Sequence, residues 1–345
     1  MTFVVMALVA VAPWQSLDGG ARAAQLEALK SLPLEARFAA ASEGFLGTPY
    51  VLSPLGEGAG YDPDPLLRYD AADCLTMVEQ SLALAVTPDE ARVIETLNHI
   101  RYEGAPSYEG RLHVMEAQWL PVNLSRGLIE DVTRLYGKDV VKRVNKRITK
   151  ATWAEKGGLS LGLSPAGQAT GEFFLDIVPS ERAPAVLATA PEGLIVVVVR
   201  ADRPRLVTRV THVAVLVQKP SGPFLRHASR SFKKVVDEPV EKYLKRNLEF
   251  GAWTVEGVAL YRVNAPSWLD GGVAIDAGVA TDAGVATDAG VATDAGQPPS
   301  DAGVTDAAPP VVVEARPCRC SSTGGGAVLL LLLLAALRSG RRRLG

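Results

Sequence analysis

Residues 210–229 read VTHVAVLVQKPSGPFLRHAS. β-Branched and other apolar residues dominate 210–218, Lys-Pro-Ser-Gly occupies 219–222, and a second apolar segment covers 224–229. Strand-forming residues on either side of a turn signal predict an antiparallel hairpin. We therefore expect a β-sheet at the centre of the fold.

Two of the four histidines of the chain lie in this hairpin, His212 in the first strand and His227 in the second. Side chains alternate between the two faces of a strand, and an even-length turn pairs residues whose numbers sum to an odd value. Under that assumption both imidazoles project from one face, opposite or diagonal to each other. If a nucleophile helix packs on that face, His212 can act as its base and His227 can orient His212. The alternative is that the two histidines have unrelated roles.

Further strands are predicted on either side of the hairpin. Residues 194–200 form a continuous apolar run, which is typical of a strand covered on both faces, and residues 255–263 are another strand candidate. The helical segments come earlier in the chain. Helices followed by strands predict the α+β fold class.

Three segments are predicted to contain helices. Residues 24–41 have a helical pattern in which Pro33 must lie near a helix start or at a kink. The sequence TPDE at 87–90 is a strong helix-start signal, because it offers a capping threonine, a proline at the first helical position and a capping-box glutamate. Residues 131–148 also have apolar residues at helical spacing.

Cys74 is the only cysteine of the chain outside its C-terminal tail. Apolar residues at positions 75, 78 and 82 have helical spacing, so Cys74 is expected at or near the first turn of a helix. N–H groups at a helix start favour a thiolate, which lowers the thiol pKa, and they can also donate hydrogen bonds to an oxyanion. Cys74 is therefore a candidate nucleophile, although a lone cysteine is more often a small buried apolar residue.

Short motifs connect these candidates in a specific order. They are FLGTPYV at 45–51, DC at 73–74, THVAV at 211–215 and HAS at 227–229. In this order they resemble the NlpC-type, papain-like cysteine peptidases that cut bacterial peptidoglycan. DCLTMVE at 73–79, IRYEG at 100–104 and the segment from RLH at 111–113 to Trp119 resemble one branch more narrowly, the N-acetylmuramoyl-L-alanine amidase-like family. That family was formerly a domain of unknown function.

The resemblance implies a papain-like NlpC-type fold within the α+β class. A nucleophile helix would pack on an antiparallel sheet that bears both histidines. It assigns catalytic roles to Cys74, His212 and His227, and it places Tyr50 near the thiol, where the tyrosine hydroxyl could assist the oxyanion. The alternative is that Tyr50 only packs.

Residues in the matched motifs are also candidates for substrate binding. They are Asp73, Arg101, Arg111 and His113. Peptidoglycan stem peptides carry carboxylates, which arginine can hold in a bidentate fork. Asp73 is alternatively a helix cap, and the basic residues are alternatively plain surface charge. His99 and Trp119 are interpreted as structural.

The reaction implied by the resemblance is hydrolysis of the amide between N-acetylmuramic acid and L-Ala, without a metal or other cofactor. The γ-D-glutamyl–diamino-acid bond is an alternative target. Zinc bound by Cys74, His212 and His227 is another alternative, as are an acyltransferase and a non-catalytic module that binds the cell wall. The net charge of −2 gives no reason to expect a nucleic-acid partner. We expect a monomer that acts on peptidoglycan or muropeptides.

The composition divides the chain into four parts. A signal segment is predicted at 1–24 from the apolar N-terminus, and a catalytic domain at 25–265. A disordered linker is predicted at 266–316, because a repeated Gly-Val-Ala-Thr-Asp-Ala hexad offers almost no bulky side chain to bury.

The last part, at 317–345, is a predicted sorting tail. It combines Cys318-Arg319-Cys320, a short apolar run and an arginine cluster. This order resembles the C-terminal sorting tails of myxobacterial surface proteins. The two ends of the chain together predict export. We expect the tail to attach the protein to the membrane or cell surface. The alternative to lasting attachment is release after the tail is processed.

Overall fold

The structure is a computed structural model that describes residues 10–155, 161–249 and 253–266. Nearly all of the predicted linker and the whole predicted sorting tail lie outside the described residues. Among the helices of the described ranges, none has both the length and the apolar character needed to span a bilayer.

The described part of the chain contains nine α-helices and eight strands. The helices are α1 (Gly19–Leu29), α2 (Leu34–Glu43), α3 (Cys74–Val86), α4 (Val93–Arg101), α5 (Leu120–Ser125), α6 (Thr133–Gly137), α7 (Lys150–Ala154), α8 (Ala183–Thr189) and α9 (Val240–Glu249). The strands are β1 (Ile129–Asp131), β2 (Lys142–Ile148), β3 (Gly171–Pro179), β4 (Ile195–Arg200), β5 (Val210–Lys219), β6 (Gly222–Ser229), β7 (Lys234–Pro239) and β8 (Val255–Val263).

All eight strands belong to one sheet, and each pair of neighbours is antiparallel. The strand order is β2-β3-β8-β4-β5-β6-β7, and β1 pairs with β8. The structure thus has the predicted mixture of helices and strands and the predicted antiparallel sheet.

Helices cover the sheet on both faces. On one face, which we call the α3 face, α2 and α3 pack against residues that include Val197, Val213 and Val215. On the other, the α9 face, α8 and α9 pack against Val198 and Leu216. A strand buried on both faces needs no polar alternation, which explains the apolar run of β4.

The β5–β6 hairpin has the predicted kind of register. β5 pairs with β6 from Val215, opposite Arg226, to Lys219, opposite Gly222. Paired residue numbers sum to an odd value, so His212 and His227 share a face. Ahead of Val215, β5 continues to pair with β4, through a bulge next to His212. The two hairpin strands therefore part at the end that carries the histidines.

The strand predictions at 194–200, 210–218, 224–229 and 255–263 are confirmed by β4, β5, β6 and β8. Residues 24–41 form parts of two helices, and Pro33 stands at the N-cap of α2. This position suits proline, because the missing N–H would be unpaired at a helix start in any case.

The predicted helix over 131–148 is wrong. The short helix α6 ends at Gly137, and Lys138 adopts a left-handed φ of 47°. Residues 142–148 then form β2, in which Val144, Lys146 and Ile148 point inwards and their neighbours point out. Apolar residues at positions 144 and 148 satisfy a period of two as well as a helical repeat, and pairing with β3 decided the outcome.

The predicted helix start at 87–90 is also wrong. Thr87 follows the last residue of α3, its N–H donates to Ala83 O at 2.9 Å, and α4 begins at Val93. Thr87 Oγ1 bonds Thr96 Oγ1 at 2.6 Å, so the hydroxyl that was expected to cap a helix joins α3 to α4 instead.

The packed unit begins before residue 25, the predicted start of the domain. Trp14 is fully buried, and its indole N–H donates to Ala41 O at 2.8 Å. The Gln25 side chain bonds both backbone groups of Ala12. Residues from about 12 onward are thus part of the folded domain.

The close approach of the Gly193 backbone to α2 can be tested by substitution. Gly193 has φ of +78°, and a Cβ there would lie 2.1 Å from Glu35 O. We expect Gly193→Ala to lower the free energy of unfolding by about 2–4 kcal/mol in urea titrations, through both strain and clash. Gly104 has the same φ and nothing within 4 Å, so Gly104→Ala should cost only about 1–2 kcal/mol. Equal losses in both variants would contradict the clash.

Candidate active site

Cys74 is the first residue of α3, as predicted, and Asp73 caps the helix. Asp73 Oδ1 accepts the Thr76 N–H at 2.9 Å, and the Asp73 N–H donates to Thr76 Oγ1 at 2.9 Å. Asp73 Oδ2 accepts the Ser53 N–H at 2.9 Å. Both carboxylate oxygens are therefore engaged, which favours the helix-cap interpretation of Asp73 over a substrate contact.

The thiol lies where β5 and β6 part. Leu216 exchanges backbone hydrogen bonds with the chain at Gly193 and Leu194, on the β4 side. By strand alternation Val213 points its N–H to the β6 side. That N–H acts on the Cys74 sulfur and favours its ionised form, which puts the thiol one residue along the strand from His212.

This arrangement differs from the expected packing. The body of α3 packs on the α3 face, against residues such as Val213 and Val215. His212 lies on the α9 face, where its ring stacks on Tyr243 at a centroid separation of 5.7 Å. The helix does not cover the histidine face. Only its first residue reaches the gap where β5 and β6 part, and there the thiol lies against Val213, next to His212 in the strand.

The two histidines are directly hydrogen-bonded, and the chain continues to a carboxylate. His212 Nε2 lies 2.8 Å from His227 Nδ1. His227 Nε2 lies 3.2 Å from Glu238 Oε2, and Arg246 Nη2 donates to the same oxygen at 2.7 Å. His227 and Glu238 are buried, whereas His212 and Cys74 are partly exposed. The accessible end of the chain is therefore the end beside the thiol.

The hydrogen-bond network assigns the tautomers. Burial would raise the pKa of Glu238, but hydrogen bonds from His227 and Arg246 outweigh it and hold the pKa below its ordinary value. The ionised carboxylate accepts a hydrogen bond from the N–H at His227 Nε2, which leaves Nδ1 of a neutral His227 as an acceptor. His212 must then donate from Nε2. Its Nδ1 carries the free lone pair that a base requires.

Burial decides the charge state of the thiol and its neighbour. It raises the pKa of Cys74 to about 12, with a further rise from the Asp73 charge, and backbone hydrogen bonds from Val213 and Leu75 only partly oppose it. The expectation that the helix start lowers the thiol pKa is wrong for this site, because desolvation is the larger effect. Burial, with the electrostatic effects of His227, Arg246 and Arg200, sets the pKa of His212 well below 6.5. At neutral pH the site holds a thiol and a neutral imidazole.

Tyr50 lies beside the thiol, as expected. It pairs with Ala72, two residues before Cys74, and its N–H donates to Lys233 O at 2.9 Å. Burial and the charges of Cys74 and Asp73 raise the pKa of Tyr50 to about 12. The hydroxyl therefore keeps its proton and can donate a hydrogen bond near the sulfur.

The candidate substrate-binding residue Arg101 is buried and already paired. Its Nε lies 3.1 Å from Glu79 Oε2, and its Nη2 donates to Leu55 O at 3.1 Å. The indole N–H of Trp119 donates to the other oxygen of Glu79 at 2.9 Å. This network ties α3 to the following segments, so Arg101 supports the nucleophile helix and does not face a cleft. Trp119 is structural, as interpreted from the sequence.

Arg111 and His113 are also held by internal partners. Arg111 Nη2 lies 2.8 Å from Asp62 Oδ2, and Arg111 Nε donates to Glu57 Oε1 at 2.9 Å. His113 Nε2 lies 2.7 Å from Tyr108 O. The Arg111 contacts fix the loop that precedes α3, and the His113 contact stays within the segment after α4. The structure does not bring either residue to the cluster of Cys74, His212 and His227.

Sequence reasoning missed the residues that support the histidines. Glu238 lies on β7, Arg246 and Tyr243 lie on α9, and neither element was predicted. A signal was present: Val235 and Val236 are followed by Asp237-Glu238 and the helix-breaking Pro239, as at a strand end. The strand could have been found, but the pairing that brings Glu238 to His227 could not.

A metal site receives no structural support among the described residues, where no group of three histidine, cysteine or acidic side chains is placed to hold a metal ion. His212 Nε2 and His227 Nδ1 are hydrogen-bonded to each other, so these two nitrogens are not free to bind a metal ion.

The fold and the site define a class: a mixed α/β protein whose antiparallel sheet carries two linked histidines beside a cysteine at a helix start. Solved structures share this fold. A Legionella pneumophila protein described by the DUF1460 family model is 24% identical, with a TM-score of 0.62 over 71% of this chain and 93% of that chain. A Bacteroides uniformis N-acetylmuramoyl-L-alanine amidase is 24% identical, with a TM-score of 0.54 over 67% of this chain and 99% of that chain.

The family is shown by the sequence itself. The model of the AmiA-like family, described as N-acetylmuramoyl-L-alanine amidase-like, matches residues 40–251, which is more than half of the chain. The chain belongs to this family, and with it to the amidase-like peptidoglycan hydrolases. The expected resemblance to the amidase-like branch is thereby confirmed. No curated protein matches the chain.

The protonation state of Cys74 can be measured by alkylation. Because the thiol pKa lies near 12, we expect the iodoacetamide rate at Cys74 to rise about tenfold for each pH unit between pH 7 and 10. Peptide mass spectrometry separates Cys74 from the tail cysteines, whose rates should level off above the ordinary pKa of about 8.5. A rate at Cys74 that is constant from pH 5 to 8 would instead indicate a resting thiolate–imidazolium pair.

Proposed function

We propose that the protein is a cysteine amidase that hydrolyses the bond between N-acetylmuramic acid and L-Ala in muropeptides. One observation carries the proposal: Cys74 lies at a helix start beside His212, and His212 is hydrogen-bonded through His227 to Glu238. The same order of nucleophile, base and orienting group is the arrangement required for covalent acyl transfer. The choice of bond rests on the family description.

In the proposed reaction the thiol is deprotonated as it attacks. Cys74 Sγ bonds to the amide carbonyl carbon while its proton passes to His212 Nδ1. The oxyanion accepts hydrogen bonds from the backbone N–H of Cys74 and from the Tyr50 hydroxyl. When the C–N bond breaks, the imidazolium returns the proton to the leaving amine. Water then attacks the thioester, gives a proton to His212, and releases the carboxylic acid with regeneration of the thiol.

The wider assignments are part of the same proposal. The nucleophile at the start of a helix and the histidine strands support membership of the papain-like NlpC superfamily. Export and attachment to the cell surface through residues 317–345 rest on the sequence of that tail. We propose that the tail tethers a catalytic domain that meets peptidoglycan outside the cytoplasm, and that the domain acts as a monomer.

The function is tested by digestion of a defined muropeptide, N-acetylmuramoyl-L-Ala-D-Glu-diaminopimelate, with mass spectrometry of the products. We expect a released peptide with a free L-Ala amino terminus from the wild type and a loss of rate of at least about 10³-fold in Cys74→Ala. Cleavage after D-Glu would support the γ-D-glutamyl alternative. Cleavage that persists in Cys74→Ala would contradict the cysteine mechanism, and chelator sensitivity would then point to zinc.

The role of Glu238 is tested with Glu238→Gln, which retains the shape but loses the charge that stabilises an imidazolium. We expect kcat to fall about 10²–10⁴-fold. The acidic limb of the kcat/KM profile should move to lower pH, because the histidine pair loses the neighbouring negative charge that favours its protonated form.

Asp237→Asn is the matched control for this test. Asp237 directly precedes Glu238 in β7. On the α3 face its Oδ1 accepts a hydrogen bond from Arg226 Nε at 2.8 Å. Loss of the Asp237 charge should reduce the stability of the protein but leave the acidic limb of the kcat/KM profile at the same pH. An unchanged limb in Glu238→Gln would show that Glu238 only fills space.

A further inference from the structure

Two loop segments rise beside the nucleophile, and we call them the cleft rim: residues 51–53 and residues 230–233. They are linked through Tyr50, which pairs with Ala72 on one side and donates its N–H to Lys233 O on the other. Val51 also donates its N–H to Ala72 O at 3.1 Å. Because Ala72 is two residues from Cys74, the rim borders the thiol.

The rim has an unusual and fixed backbone. Ser53 has φ of 51° and Lys233 has φ of 57°, and they are two of the three non-glycine residues with positive φ in the described ranges. The Asp73 carboxylate holds the Ser53 N–H, so the cap of the nucleophile helix also fixes the rim. Strain of this kind persists where the surroundings fix the conformation, and it is concentrated at functional sites.

The rim presents apolar side chains to solvent. Leu52 is 70% exposed, Phe232 50% and Val51 43%. These are three of the nine large apolar side chains found exposed in the described part of the chain. Apolar surface clustered at the border of a reactive thiol is typical of a binding site.

The rim also carries an accessible cation. Arg230 is exposed, forms no ion pair with another described residue, and acts electrostatically on the Tyr50 hydroxyl. The other arginines near the site are engaged: Arg246 bonds Glu238, and Arg226 bonds Asp237. Arg200 donates to Thr211 and Asn247. Arg230 is thus the guanidinium placed to meet an anionic substrate.

We propose that the cleft rim is the substrate-recognition site and that Arg230 binds the carboxylate of the second stem residue. A γ-linked D-Glu leaves its α-carboxylate free, one residue from the bond between the muramoyl group and L-Ala. One residue spans about 3.5 Å, which is within reach of a long arginine side chain. In the same proposal Leu52 covers the methyl groups of the lactyl group and of L-Ala, on either side of the scissile amide. This inference rests on the proposed function for the identity of the substrate.

The test uses two muropeptides that differ only in the D-Glu α-carboxylate, which is free in one and amidated in the other. We expect wild type to prefer the free acid by roughly tenfold to 100-fold in kcat/KM, mainly through KM. Arg230→Gln should lose this preference, because its loss of kcat/KM should be much larger on the free acid than on the amidated substrate. Arg230→Lys, which offers a single ammonium, should lie between the two.

Arg147→Gln is the matched control, because Arg147 is an exposed arginine on β2, at the opposite edge of the sheet. It should retain the preference. A preference that survives in Arg230→Gln, or an equal loss on both substrates, overturns the inference.

Binding to catalytically inactive full-length Cys74→Ala separates this inference from the proposed function. Calorimetry should show tighter binding of the free acid, and the difference should vanish in Cys74→Ala/Arg230→Gln. If wild type cuts a different amide but this binding difference holds, the proposed function fails and the recognition by Arg230 stands. If Cys74→Ala binds both peptides equally, the recognition by Arg230 fails whatever bond is cut.

Discussion

The site depends on how the start of α3 reaches the sheet, where the Cys74 sulfur meets the backbone of β5 at Val213, one residue from His212. The helix that carries the thiol is buried on one face of the sheet, and the imidazoles project from the other. Side chains on opposite faces of an intact sheet cannot react with one another. The parting of β5 and β6 ahead of Val215 removes this barrier, because it frees a strand N–H for the sulfur and admits the first residue of α3.

Burial of that contact determines the electrostatics of the site. A thiolate would be poorly solvated there, and an imidazolium at His212 would face the charges of Arg246 and Arg200. The neutral pair is therefore the resting state, and proton transfer accompanies attack. The ionised Glu238 fixes the direction of both imidazole hydrogen bonds, so that His212 presents a lone pair where the proton must go. Arg246 keeps this carboxylate ionised in a buried position.

The sequence predicted those parts of the site that depend on local patterns. The helix start at Cys74 follows from its apolar spacing, and the shared face of His212 and His227 follows from strand parity. Glu238 depends on the pairing of β6 with β7, where Leu225 lies opposite Glu238, and no local pattern reports that pairing. The side from which α3 approaches the sheet is likewise set by packing. The misread segment at 131–148 shows the same limit, because Val144 and Ile148 fit a helix and a strand equally well until β3 pairs with them.

The basic residues of the amidase-like motif show why a motif match does not give a residue its role. Arg101 and Arg111 were expected to meet substrate carboxylates, and each instead meets a carboxylate of this chain. Burial raises the pKa of Glu79 to about 7 in spite of the Arg101 charge, so this buried pair gains little from its attraction beyond holding α3 in position. A guanidinium already committed to such a pair cannot bind a ligand without leaving a buried charge uncompensated. Recognition of an anionic substrate must therefore come from a cation with no internal partner, and Arg230, exposed on the cleft rim, is the guanidinium at the border of the thiol that meets this condition.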